Sequence, residues 1–358
     1  MFKLRDGDTA KRILKDIKAL NVECKFMHVC GTHQDTMVRF GLEELLADVG
    51  VEIRQGPGCP VCVTTSTEVA AGITLAKAGK TVCVFGDMMK VPTTIGSLND
   101  AKAEGADVRI VYSIEDAVKM ASSSENDVVF MAVGFETTSP TTAVPLSKGV
   151  PENFSVYSCH RIVPPALELI FKMGEIKVDG FIQPGHVSVI TGLKIYEPFS
   201  SRYKMPQVVA GFEPLDLLMA SYMLAKQIKE GRAEVENEYS RLVKKDGNPI
   251  AQKLLADTFK TADRAWRGFP VIPKSALALK KKFEAYDAAK VHEDILENMP
   301  EVEEEAKGCR CGEVLRGLIR SDECPMFGKA CNPNRPMGPC MVSHEGSCNI
   351  AFRFSGKK

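Results

Sequence analysis

Short apolar runs alternate with amphipathic stretches through roughly the first two thirds of the chain. Runs at 25–30, 51–54, 81–85, 108–112 and 128–133 are rich in β-branched and aromatic residues and predict strands. Between them, 33–49 and 67–78 carry the helical period. Strand–helix alternation at this spacing predicts a parallel sheet with helices on both faces. The pattern then resumes, with strands expected at 154–159, 180–183 and 207–210 and helices at 164–173 and 214–229.

The expected fold is therefore α/β. It has two Rossmann-like parallel-sheet domains, 1–145 and 146–230, and a smaller C-terminal unit, 231–358, made of helix and loop. The boundaries can be discontinuous, because a helix at 9–20 could pack on either sheet. In the third unit the charge rises and β-branched runs fade. Helices are expected at 234–245, 250–262 and 275–289, broken by the prolines at 268–273, and the acidic run 301–305 reads as a solvated helix end or linker.

Composition narrows the functional classes. With 44% apolar residues among 358, the chain can build real cores. Lysine plus arginine equals aspartate plus glutamate, 46 each, which gives no global electrostatic case for nucleic acid or an acidic membrane surface. The segment MFKLRDGDTAKR has no apolar signal core, and no apolar run is long enough to span a bilayer. A soluble, cytoplasmic protein is expected. In that compartment clustered cysteines point to metal or redox chemistry rather than to structural disulfides.

Six of the twelve cysteines fall in the last fifty residues: Cys309, Cys311, Cys324, Cys331, Cys340 and Cys348. The glycines, prolines and charges around them cannot form an apolar core, so an inorganic centre is expected to organise the segment. Thiolates ligate both iron–sulfur clusters and structural zinc. Paired C-x2-C knuckles are absent, and the loops bearing Pro325, Gly328, Pro333, Pro336, Gly338, Pro339 and Gly346 suit wrapping round a larger core. An iron–sulfur cluster is the first reading, zinc the second and unligated thiols the third. Six thiols exceed four ligand positions.

Two further motifs lie upstream. In MHVCGTH, Cys30 ends a predicted strand, Gly31 permits a turn, and a helix begins near His33. A thiol beside a helix N-terminus is expected to have a lowered pKa. His28 shares the strand face of Cys30, and His33 can add charge or a hydrogen bond. In GPGCPVC, two glycines turn the chain before Cys59 and Cys62, a C-x-x-C at a helix start that fits either a redox dithiol or half of a metal site. Val61 stands where a dinucleotide loop needs its third glycine, so that fingerprint is absent. Polar groups end other strands: Glu136 in GFETT, His160 with Arg161, His186 in QPGHVS, and the turn Gly211-Phe-Glu213-Pro-Leu-Asp216. They are expected to face the thiols across a cleft.

In this order, the motifs resemble the HypD family of hydrogenase maturation factors. The matching elements are His28-Val-Cys30-Gly-Thr-His33, Gly56-Pro-Gly-Cys59-Pro-Val-Cys62, Gly134-Phe-Glu-Thr-Thr138, His160-Arg-Ile-Val-Pro-Pro165, Pro184-Gly-His186-Val-Ser188 and Gly211-Phe-Glu-Pro-Leu-Asp216. The tail matches through Cys309-Arg-Cys-Gly, Cys324-Pro-Met-Phe-Gly, Cys331-Asn-Pro and Gly338-Pro-Cys-Met-Val-Ser. Many family members carry a second histidine after the first; here Gln34-Asp35-Thr36 occupies that stretch, and Asp35 is given no metal role.

The resemblance implies a scaffold with a redox role rather than a simple turnover enzyme. It would act with a HypC-like chaperone and a HypE-like cyanide donor, and indirectly with the hydrogenase large subunit. Together they would assemble the iron dicyanide carbonyl unit of nickel–iron hydrogenases. By resemblance, Cys30 would hold the iron jointly with a partner cysteine, and Cys59 and Cys62 would be a redox-active dithiol. Cys309, Cys324, Cys331 and Cys348 would carry a 4Fe–4S cluster, leaving Cys311 and Cys340 spare. Electrons would pass from cluster to dithiol to iron. His33 joins this machinery, with His28, Glu136, His160 and His186 as accessory candidates. The alternative is a stand-alone iron–sulfur thiol–disulfide oxidoreductase, and a zinc-stabilised interaction protein is the third reading.

Overall fold

The computed structural model describes residues 4–354, so the first three residues of the N-terminal segment lie outside it. Two parallel sheets dominate. The first has the order β2 (Val51–Gln55), β1 (Cys24–His28), β7 (Gly180–Pro184), β8 (Gln207–Ala210), β9 (Val235–Asn237). The second runs β4 (Val108–Ile110), β3 (Thr81–Val84), β5 (Val128–Gly134), β6 (Phe154–His160). Every neighbouring pair in both sheets is parallel. Strand β5 is buried along its whole length, as expected of a strand covered on both faces.

The strands form where the apolar runs fall, but they are grouped differently from expectation. Phe154–His160 pairs with β5 in the second sheet, and β7 joins β1 in the first. Apolar runs make strands; which edges meet is decided by packing between segments far apart in sequence. The helix Gly7–Leu20, capped by Asp6, buries Ile13 and Ile17 in the first sheet's core beside Leu217, Leu218 and Leu224 of the helix Pro214–Lys229. The stretch 33–49 divides into helices Gly31–Arg39 and Leu42–Ala47, because Gly41 takes a left-handed conformation between them.

The region after 230 corrects three expectations. Residues 234–245 hold β9 and turns rather than a helix, since Val235–Asn237 extends the first sheet beside β8. The helix Pro249–Thr258 stops early and runs into β10 (Phe259–Ala265). Ser275–Leu279, helical by propensity, instead lies in β11 (Val271–Leu279), antiparallel to β10. Phe259, Leu277 and Leu279 cover the second sheet's core there, and this burial overrides the local preference of Ala, Leu and Lys. The acidic run is not merely solvated. Glu304 accepts from Ser66 N at 2.8 Å at the start of the helix Ser66–Lys77, and Glu305 accepts from Gly312 N at 2.8 Å. Among the described residues, no helix is long and apolar enough to cross a membrane.

Candidate functional site

In a parallel sheet, all carboxyl ends lie on one edge, where turns gather polar groups. Cys30 follows β1 and caps the helix Gly31–Arg39, while the GPG turn follows the neighbouring β2. The two turns are hydrogen-bonded back to back: Gly56 N donates to His28 O at 2.8 Å and Gly31 N to Gly58 O at 3.3 Å. Gly58 is there because nothing larger fits; a Cβ on it would lie 2.2 Å from Cys30 N. Cys59 and Cys62 are disulfide-bonded and fully buried, and Cys62 N donates to Cys59 Sγ at 3.1 Å.

The tail closes over this turn from the other side. A Cβ on Gly31 would meet Glu345 Cβ at 2.5 Å. The helix Ser347–Phe354 lies on the Cys30 helix, where Arg353 pairs with Asp35 at 2.9 Å. Ser343 Oγ donates to Asp87 at 2.8 Å, just beyond β3, so the tail bridges the carboxyl edges of both sheets. Arg267 ties in the neighbouring region: its backbone N donates to Val63 O at 3.0 Å and its Nε to Thr64 O at 3.1 Å, directly after the C-x-x-C.

Burial governs the electrostatics. Cys30 keeps partial exposure, yet desolvation pushes its thiol up to about 11, against the pull of the His33 and Thr32 backbone amides. This reverses the expected lowering: the helix N-terminus acts as anticipated, but burial outweighs it. His33 is wholly buried and pushed down to about 3 by desolvation, with the neighbouring His28 adding to the effect and the nearby Ala210 and Gly211 backbone pulling the other way. Its ring packs 5.0 Å from Phe212, on which His186 stacks at 3.9 Å. His28 is held neutral by burial, down to about 4, with Nε2 2.7 Å from Gln34 Oε1.

Not all candidates converge here. His160 sits edge-on to Phe259, with Nε2 2.9 Å from Thr142 Oγ1, inside the end of the second sheet. Glu136, pushed up to about 7 by burial, accepts from Val163 N at 3.0 Å. The motif residue Arg161 forms a buried ion pair with Glu68 at 2.5 Å and donates to Cys159 O, bracing the helix after the C-x-x-C against β6.

All six tail cysteines line one cavity, with Met326, Phe327, Val314 and Met341 among its walls. Cys311 and Cys340 touch each other, Sγ to Sγ at 2.9 Å. Gly338 lets the backbone approach Cys309; a Cβ there would lie 3.2 Å from its sulfur. Among the described residues, no three His, Cys, Asp or Glu side chains converge on a single-ion position, so the thiols share a wall rather than a point. An all-sulfur donor set of this number suits an iron–sulfur cluster by ligand chemistry.

Sequence reasoning placed the turn 211–216 at the site but not the Phe212 ring itself, and it missed Gln34 and Glu345. Glu345 had one available signal, its place between the tail cysteines Cys340 and Cys348; the role of Gln34 is recognisable only once the Cys30 helix is packed against β1.

Comparison with known proteins agrees with this arrangement. The profile described as the Hydrogenase formation hypA family, HypD, matches residues 8–355. A protein of Methanocaldococcus jannaschii named for hydrogenase expression and formation is 45% identical, covering 99% of both chains. The hydrogenase maturation factors HypD of Rhizobium leguminosarum and Cupriavidus necator are 42% and 41% identical over 98% of this chain, and over 94% and 95% of their own lengths. Thiol turns at adjacent strand ends, a cysteine-lined cavity closing over them and similarity along nearly the whole length make this chain a member of the HypD family of hydrogenase maturation factors.

Proposed function

We propose that the protein is the scaffold on which the iron dicyanide carbonyl unit of a nickel–iron hydrogenase is assembled, with a HypC-like chaperone and a HypE-like cyanide donor. The observation that carries this reading is the enclosure of the Cys30 turn, pressed between Gly58 of the C-x-x-C turn and Glu345 of the cysteine-rich tail. Iron is cargo here, held by Cys30 together with a partner cysteine. A thiolate suits low-valent iron carrying cyanide and carbonyl. A thiol pushed up to about 11 stays protonated until a metal displaces its proton, which couples ionisation to loading.

By resemblance to the family, Cys309, Cys324, Cys331 and Cys348 are the proposed ligands of a 4Fe–4S cluster; all four line the cavity, with Cys311 and Cys340 beside them. Such a cluster supplies single electrons when bound. Cys59 and Cys62 can take up two electrons and two protons on opening to a dithiol. Their full burial argues against a stand-alone oxidoreductase, which must expose a thiol to a disulfide substrate. Action in the cytoplasm, with delivery to the hydrogenase large subunit through the chaperone, completes the reading.

Infrared spectroscopy of the anaerobically purified complex tests it. Cyanide and carbonyl bands should be present in the wild type and absent in Cys30→Ala, while iron and sulfide content stays at the cluster level. Bands that survive in Cys30→Ala remove Cys30 from the iron site.

A further inference from the structure

Arg267 is only 3% exposed, yet each hydrogen bond its side chain makes goes to a backbone carbonyl: Nε donates to Thr64 O at 3.1 Å and Nη1 to Glu304 O. Nη2 is buried with no hydrogen-bond partner among the described residues. A guanidinium stays charged, and burying a charge without a carboxylate against it is costly. Arg161, by contrast, is matched by Glu68, and Arg310 in the wall of the tail cavity by Glu313. The unmatched charge of Arg267 falls between the two sets of thiols. Gly268 abuts the residue after Cys311: a Cβ on Gly268 would lie 2.3 Å from Gly312 Cα. The helix Pro339–Val342, which carries Cys340, packs on the helix Pro60–Val63, which carries Cys62. Trp266 and Phe269 share one apolar cluster with Cys59, Cys62, Cys311 and Cys340, so the surroundings screen charge weakly. The charge acts on the cavity wall. At Cys311 contact with Cys309 draws the thiol down, while contact with Cys340 and burial push it up. At Cys340 contact with Cys311 draws the thiol down and burial pushes it up. Arg267 pulls both downward. Both sulfurs line the cavity with Cys309, Cys324, Cys331 and Cys348.

We propose that Arg267 is a buried cation that raises the reduction potential of the cluster held by the tail thiols. The inference rests on the reading of the tail as a 4Fe–4S site. Four thiolates leave such a cluster with a net negative charge, and reduction adds one electron and one further negative charge. A fixed cation therefore favours the reduced form over the oxidised one. Through a weakly screening protein wall, one unit charge is worth roughly tenfold in the ratio of reduced to oxidised cluster. Carbonyl dipoles hold the guanidinium in place without cancelling its charge, as a carboxylate partner would. The same contacts pin Arg267 to the exit of the C-x-x-C helix, where its backbone N donates to Val63 O at 3.0 Å.

A redox titration of the full chain, purified anaerobically and poised with dithionite and mediators, reads the potential through the EPR signal of the reduced cluster. Arg267→Gln and Arg267→Met remove the charge. Arg267→Lys keeps it while giving up the guanidinium's fork of hydrogen bonds. At the wild-type midpoint, the reduced-to-oxidised ratio should fall about tenfold in both neutral variants, a shift of 59 mV for one electron. The lysine variant should stay within about twofold of wild type. A midpoint unchanged in the neutral variants overturns the inference, and so does an equal shift in all three, which would make Arg267 a structural tie alone. Loss of the cluster from both neutral variants but not from Arg267→Lys supports the charge; loss from all three overturns it. A wild-type chain that holds zinc, or no iron and sulfide, overturns the cluster reading itself and this inference with it.

Discussion

Replacing Gly58 by alanine tests the contact between the two thiol turns. The added Cβ would sit 2.2 Å from Cys30 N, 2.4 Å from Val29 C and 2.5 Å from Cys30 Cα. All three are backbone atoms, so no side chain can swing aside. Restoring an ordinary separation of roughly 3.5 Å requires the turns to part by about 1 Å. The Gly31 N to Gly58 O bond, already 3.3 Å, then leaves hydrogen-bonding range. Overpacking costs about 1–3 kcal/mol and the lost bond about 1 kcal/mol more, so Gly58→Ala should lose about 2–4 kcal/mol. Urea unfolding of anaerobically prepared protein measures this. Gly7→Ala is the control, because a Cβ at Gly7 meets nothing within 4 Å among the described residues at a helix start; it should be neutral or gain up to about 1 kcal/mol. A Gly58→Ala variant within about 0.5 kcal/mol of wild type, on the ordinary scatter of surface changes, would show that the turns are not locked together.

Other outcomes follow from burial. Glu68→Ala strands the buried Arg161 guanidinium and should cost about 3–5 kcal/mol in urea unfolding, whereas Glu68→Met with Arg161→Met should cost clearly less. Glu136 is raised by burial from 4.5 to about 7, so the folded state binds the extra proton and its contribution to stability is lost as pH rises from 4.5 to 7. Glu136→Gln should remove that slope, an effect on the order of 1–3 kcal/mol between unfolding curves at the two ends. The buried His28, His33 and His160 act oppositely: depressed below 6.5, they should weaken the fold as pH falls from 6.5 toward 4, which His160→Gln would partly relieve. Cys59 and Cys62 should resist iodoacetamide in the native protein and label only after reduction and unfolding, as peptide mass mapping can check.

Much of this was legible in the sequence, and the rest was not for definable reasons. Strand positions were readable because Val, Ile and Phe runs that must be buried have few other solutions, and β8 falls at 207–210 as expected. Partner choice was not, because β6 carries the same apolar signal whichever sheet it joins. Propensity misled at Ser275–Leu279, where burial against the second sheet decided the conformation. The thiol motifs were visible as spacing and turn chemistry, and β1 and β2 do pair, bringing Cys30 and Cys59 to neighbouring strand ends. The helix-terminus argument for Cys30 had the right sign for one effect and no access to the larger one, desolvation, nor to the Glu345 charge that adds to it from a tail more than three hundred residues away.

The strand order of the first sheet also sets a schedule for synthesis. The pair β1 and β2 leaves the ribosome early, but its remaining neighbours, β7 to β9, lie beyond residue 180, after the whole second sheet. Two strands alone have little independent stability. The second sheet, contiguous in sequence, can be complete while the thiol turns still lack their support, and Glu345 arrives last of all. A nascent chain therefore exposes Cys30, Cys59 and Cys62 as ordinary thiols for most of its translation. The enclosure of Cys30 between the Gly58 turn and Glu345 exists only once nearly the full polypeptide has emerged.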